Sequence, residues 1–135
     1  MKALGWPSDT RGVKPRVLVI EDSASVRRLI EVCLRMVDVE LVAAEDGTKG
    51  LQAARSTLPD AIVLDIGLPG MDGWEVLRHL RDDEETSTIK VLILTAHAQP
   101  EIATRAAARG ADAFMTKPFR PLELREQIEK LLADS

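Results

Sequence analysis

The chain has one cysteine, no tyrosine, two tryptophans, two phenylalanines and two histidines in 135 residues. A single thiol rules out an intrachain disulfide framework, and no Cys or His group shows the spacing of a zinc site. Cys33 falls within an apolar helical pattern and reads as a core thiol, which suits a reducing compartment. No apolar run approaches the roughly 18 residues of a membrane span, and residues 1–7 hold no apolar signal core. A cytoplasmic protein with no membrane insertion is expected. Positive charge is also scarce: 18 Lys and Arg stand against 22 Asp and Glu, a formal net charge of −4. That balance disfavours a surface for phosphate backbones, and no helix-turn-helix segment follows Leu132, so no nucleic-acid partner is expected.

The length suits one domain, large enough to bury roughly 65–70% of its unfolded surface. Residues 1–14 carry Gly5, Pro7 and Gly12 without periodicity and read as a flexible leader, with Trp6 a candidate to dock back; residues 15–135 read as the folded domain. Within that domain four apolar runs each end on a residue suited to phosphoryl chemistry. Val17-Leu18-Val19-Ile20 ends on Glu21-Asp22, and Ala61-Ile62-Val63-Leu64 ends on Asp65. Val91-Leu92-Ile93-Leu94 ends on Thr95, and Ala113-Phe114-Met115-Thr116 ends on Lys117-Pro118. As buried parallel strands, these runs would gather carboxylates, hydroxyl and ammonium at the carboxyl edge of one sheet, where open α/β folds bind ligands.

Helical periodicity separates the runs. A first helix is expected over about residues 23–37, with Ser23 as N-cap and Arg27, Arg28, Glu31 and Arg35 facing outward. The charge-interrupted run Val39–Ala43 suits an edge strand, and a helix over about 48–57 stops at Leu58-Pro59. A third helix is expected over about 74–81, followed by a solvated acidic run, Asp82–Glu85. A fourth opens at Pro100-Glu101 and closes at Gly110, and the last covers about 121–133. The alternation predicts an α/β doubly wound sheet of five parallel strands and five helices, flavodoxin-like, with strand order 2-1-3-4-5 as in the known examples of that topology.

Three carboxylates converging at a sheet edge repel one another, and a hard divalent cation with oxygen ligands relieves that repulsion. Mg²⁺ is the natural candidate. With it, Asp65 becomes a credible nucleophile for in-line phosphoryl transfer, Lys117 a point charge for one phosphoryl oxygen, and Thr95 a hydroxyl donor for another.

Together, Glu21-Asp22, the stretch Asp65-Ile66-Gly67-Leu68-Pro69-Gly70-Met71-Asp72-Gly73, Thr95-Ala96 and Lys117-Pro118-Phe119 resemble the CheY-like receiver domain of two-component response regulators. The likeness covers residues from about Arg16 to Leu132. It implies a phosphorylation-dependent signalling switch rather than an enzyme acting on other substrates. Asp65 would accept the phosphoryl group from a histidine kinase or histidine phosphotransfer protein. Asp22, Asp65 and the Gly67 carbonyl would ligate Mg²⁺, with Glu21 acting on the ion directly or through water. Thr95 and Phe114 would couple phosphorylation to a downstream protein target at the face of the fourth helix, fifth strand and fifth helix. Lys117-Pro118 would be a cis peptide, and His97 would sit at a position that tunes phosphate lifetime.

Two other functions compete. A haloacid dehalogenase-type phosphatase would also use an aspartate nucleophile, but it needs a second Asp two residues later, where this chain has Gly67. A non-phosphorylated interaction module would not need the full set of acids, hydroxyl and lysine.

Overall fold

A computed structural model describes residues 14–96 and 99–134. The leader residues 1–13, including Trp6, and His97 lie outside the described residues. Five strands and five helices alternate: β1 (Arg16–Ile20), α1 (Ala24–Leu34), β2 (Glu40–Ala44), α2 (Gly47–Thr57), β3 (Ala61–Asp65), α3 (Gly73–Asp82), β4 (Lys90–Thr95), α4 (Pro100–Ala108), β5 (Ala113–Thr116) and α5 (Pro121–Ala133). All four strand pairings are parallel, as the alternation implies, and the order is β2-β1-β3-β4-β5, the one taken from the known examples of that topology.

Continuous apolar runs make the central strands because both sheet faces are covered. Val17, Val19, Val63, Leu92, Leu94 and Met115 point to one layer, packed by Ile30 and Cys33 of α1 and by Leu124, Ile128 and Leu132 of α5. Their alternate neighbours Leu18, Ile20, Ile62, Leu64, Val91 and Ile93 point to the other, packed by Leu51 of α2, Val76, Leu77 and Leu80 of α3, and Ala106 of α4. Cys33 is buried, as its place in the stripe predicted, and burial pushes its thiol up. The run with a charge in it, β2, is the edge strand, where Glu40 pairs with Arg16 of β1.

Helix boundaries follow local capping. Ser23 accepts a hydrogen bond from the Val26 amide at 3.3 Å, as expected of an N-cap. α1 ends at Leu34 rather than near Val37, because Arg35 and Val37 donate to Val32 and Leu34, three residues back, and tighten the chain into turns. Asp46 and Asp72 cap α2 and α3 by accepting from the Lys49 and Glu75 amides, so each helix begins a residue earlier than periodicity alone placed it. Leu58 takes a left-handed conformation, φ 46°, and stops α2 before Pro59. Gly110 has φ +95° after α4, a backbone state that a side chain would strain. Asp82 belongs to α3; only its neighbours Asp83–Glu85 lie in the connection to β4.

A candidate phosphoryl and metal site

Register brings the reactive residues level. Ile20 pairs with Leu64, Asp65 with Leu94, and Thr95 with Thr116. The ladders run one step further, since the Glu21 amide donates to Ala44 O at 3.1 Å, Ile66 to Leu94 O at 3.0 Å, and Lys117 to Thr95 O at 2.7 Å. Glu21, Asp65, Thr95 and Lys117 therefore leave adjacent strands at one edge. Asp22, one residue beyond β1, joins them.

The carboxylates of Glu21, Asp22 and Asp65 each offer an oxygen, and the three atoms lie within 4.8 Å of one another. Asp22 is exposed, whereas Glu21 and Asp65 are 1% and 5% exposed. Lys117 reaches into the group, with Nζ 2.8 Å from Glu21 Oε1 and 3.3 Å from Asp65 Oδ1. One ammonium thus faces two buried acids, with a third beside them. Burial pushes the Glu21 carboxyl above its ordinary range, and the Asp65 charge adds to that; the hydrogen bonds from Lys117 and the Ser23 amide only partly offset it. For Lys117, burial is the strongest single influence and acts downward. The hydrogen bond to Glu21 and the charges of Asp65 and Glu21 together outweigh it and hold the ammonium above its ordinary value. The partners differ because Glu21 is sealed from water and the Lys117 side chain is 22% exposed.

The loop after β3 is held by its own backbone. Asp65 Oδ1 accepts from the Gly67 amide at 3.0 Å, and the Gly73 amide donates to Ile66 O at 2.9 Å. A Cβ on Gly73 would stand 2.5 Å from the Asp65 carbonyl oxygen, so only glycine lets α3 start against the strand end. Lys117-Pro118 is cis, as anticipated. Thr95 is buried. Phe114 is half-buried against the layer that contains α2, α3 and α4.

The sequence reading missed Arg27. It faces back rather than outward, donating to the carbonyl oxygens of Glu21 at 2.8 Å and Asp22 at 3.1 Å, which fixes the backbone that carries both acids. Its signal was its place one turn into α1, within side-chain reach of the acidic pair. Near the acidic pair, Val26 is half-buried in the core layer and Leu29 is exposed.

Hard carboxylate oxygens with excess negative charge, grouped with no sulfur or imidazole among the described residues, suit Mg²⁺. The model for the response regulator receiver domain matches residues 17–129. The chain belongs to that family. This receiver domain is 39% identical over 118 residues to the DNA-binding dual master transcriptional regulator RpaA of Synechocystis sp., which covers 87% of the chain and 49% of the relative. It is 36% identical over 117 residues to the phosphate regulon transcriptional regulatory protein PhoB of Escherichia coli, covering 87% and 51%. The chain spans about half the length of these curated relatives, and the DNA binding stated for the first is that protein's.

Solved structures agree on the fold. Chemotaxis response regulator CheY4 of Vibrio cholerae is similar with a TM-score of 0.82 at 28% identity, over 88% of this chain and 99% of that one. The Francisella response regulator 1452 receiver domain gives 0.83 at 28% identity, over 89% and 98%. The receiver domain is a regulatory unit of two-component phosphorylation signalling, a class that works with histidine kinases and in general binds Mg²⁺. None of its described helices is long and apolar enough to cross a membrane.

Proposed function

We propose that Asp65 is the phosphoacceptor of a Mg²⁺-dependent signalling switch. The observation that carries this reading is the charge imbalance at the sheet edge, three carboxylates within 4.8 Å against the one ammonium of Lys117. A carboxylate oxygen of Asp65 attacks the phosphorus of a partner's phosphohistidine in line. The P–N bond breaks, its electron pair returns to the imidazole nitrogen, and an acyl phosphate forms on Asp65. Asp22, Asp65, the Gly67 carbonyl and Glu21 would hold Mg²⁺, which when bound neutralises phosphoryl charge.

The chain's own residues supply the rest. The ammonium of Lys117 shifts its attraction from Glu21 toward the incoming phosphoryl group, and the Thr95 hydroxyl donates to another of its oxygens. Arg27 is a positioning residue, holding the carbonyls of Glu21 and Asp22. Phosphorylation then moves Thr95 and Phe114 together, and the face of α4, β5 and α5 presents the changed surface to a downstream protein. The domain catalyses only its own phosphorylation and dephosphorylation; Gly67 brings no acid or base two residues after Asp65, which supports a retained phosphoryl group over rapid turnover. In this reading the receiver occupies residues 15–135, with 1–14 as a leader.

Radiolabel transfer from an autophosphorylated histidine kinase tests the proposal. Label is expected on the wild-type chain with Mg²⁺, and none with a chelator or in Asp65→Asn. Equal labelling of Asp65→Asn would overturn it.

A further inference from the structure

A second charged feature lies between α3 and α4, and its lining shares no residue with the carboxylate cluster. Trp74, in the first turn of α3, is half-buried against the core layer. Over its ring stands the guanidinium of Arg105, 4.3 Å from the centroid, with that of Arg109 at 5.5 Å. Residues four apart share one helix face, so both arginines reach the same indole from α4. Beside them is a groove of about 370 Å³ lined by Trp74, Arg78, Arg81, Asp82 and Arg109. Three arginines against one aspartate make a positive surface on a chain whose net charge is −4.

The cations in this groove are not equally engaged. Arg81 is spent on Asp112 and on the carbonyls of Gly110, Ser87 and Ile89, and Arg78 stands 3.8 Å from Asp82. Among the described residues Arg105 and Arg109 have no carboxylate within 4.0 Å; of the exposed acids of the same two helices, Asp82 stands by Arg78, and Glu75 and Glu101 pair with neither arginine. Stacking on an indole steadies a guanidinium while leaving its planar fork of donors at the rim, the geometry that takes a carboxylate in two hydrogen bonds. Two forks four residues apart on a helix are offset by about 6 Å along its axis, close to the roughly 6.6 Å between alternate residues of an extended chain. A nucleobase fits less well, because the guanidiniums already cover the open indole face.

The geometry points to a docking site for an acidic protein segment on the α3–α4 face, its alternate carboxylates engaged by Arg105 and Arg109 over Trp74. This surface is separate from the proposed phosphoacceptor and does not depend on it. The test uses the full chain carrying Trp6→Phe, so that Trp74 is the sole indole reporter. An acetylated peptide of alternating glutamate and glycine should change Trp74 emission saturably. Its apparent Kd should weaken at least tenfold in Arg105→Gln/Arg109→Gln and at least threefold in Arg105→Lys/Arg109→Lys, which keeps the charge and loses the fork. Asp65→Asn should leave it unchanged. No saturable change, an unchanged Kd in both arginine variants, or tighter binding of AMP than of the peptide would overturn the assignment. So would self-association of the chain that the peptide displaces, which would make a second copy the occupant.

Discussion

Two polar clusters sit at opposite edges of the same sheet, and they are built on opposite principles. At the amino edge, Arg81 donates to Gly110 O at 3.0 and 2.8 Å, Ser87 O at 3.0 Å, Ile89 O at 2.8 Å and Asp112 Oδ2 at 3.1 Å. Asp112 in turn accepts from the Val91 amide at 2.9 Å. One cation meets one acid, and the donors of the guanidinium are spent on fixed acceptors. At the carboxyl edge the Lys117 ammonium faces two buried acids with a third beside them, while the Arg27 guanidinium donates to backbone carbonyls and pairs with none of the three carboxylates. A balanced, saturated cluster ties α3 to the starts of β4 and β5 and has nothing left to bind. An unbalanced cluster is a standing charge deficit, held in place by the core beneath it and completed only by a cation or by the loss of charge.

The largest separation between the two should appear in stability. Arg81→Met strips donors from three carbonyls and leaves Asp112 without its cation, so a loss of about 2–4 kcal/mol is expected by urea denaturation, with phosphorylation of the folded protein retained. Added Mg²⁺ should act only on the other cluster: at a hundred times its Kd it raises stability by about 2.7 kcal/mol, in wild type and Arg81→Met alike. Asp22→Asn should lose most of that gain; equal protection of Asp22→Asn would break the comparison. In metal-free buffer Asp65→Asn should be more stable than wild type by about 1 kcal/mol, because it removes a like charge beside buried Glu21. A destabilised Asp65→Asn would mean that the carboxylates are structurally satisfied.

The smallest effect is in pH dependence. Lys117 is held above its ordinary value in the folded chain, so its contribution is complete below the unfolded lysine value and is lost as pH rises through the folded one. Wild type should therefore lose stability more steeply than Lys117→Met at alkaline pH, measured by thermal melting. Parallel profiles would show that the ammonium contributes no net pairing with Glu21 and Asp65.

Much of this was legible in the sequence because the strands are buried on both faces. A continuous apolar run marks such a strand, and the polar residue that ends it marks the sheet edge, so Glu21, Asp65, Thr95 and Lys117 could be gathered without coordinates. The helix caps at Asp46 and Asp72 were harder, since capping depends on backbone angles at a single residue. The cluster of Arg81, Gly110 and Asp112 gave no local signal, Gly110 reading only as a helix end: the partners are 29 and 31 residues apart and meet only once α3 has packed. The same is true of Trp74 with Arg105 and Arg109, which stand on different helices and meet only when α3 and α4 lie side by side. The direction of Arg27 was misread because outward periodicity does not say where a long side chain folds back.

The most direct test is chemical. After incubation with a phosphorylated kinase and Mg²⁺, borohydride reduces an aspartyl phosphate to homoserine, and peptide mapping locates it. Homoserine is expected at position 65, dependent on Mg²⁺ and unaffected by Arg81→Met. Homoserine at another position, or its formation at 65 without a divalent cation, would contradict the account.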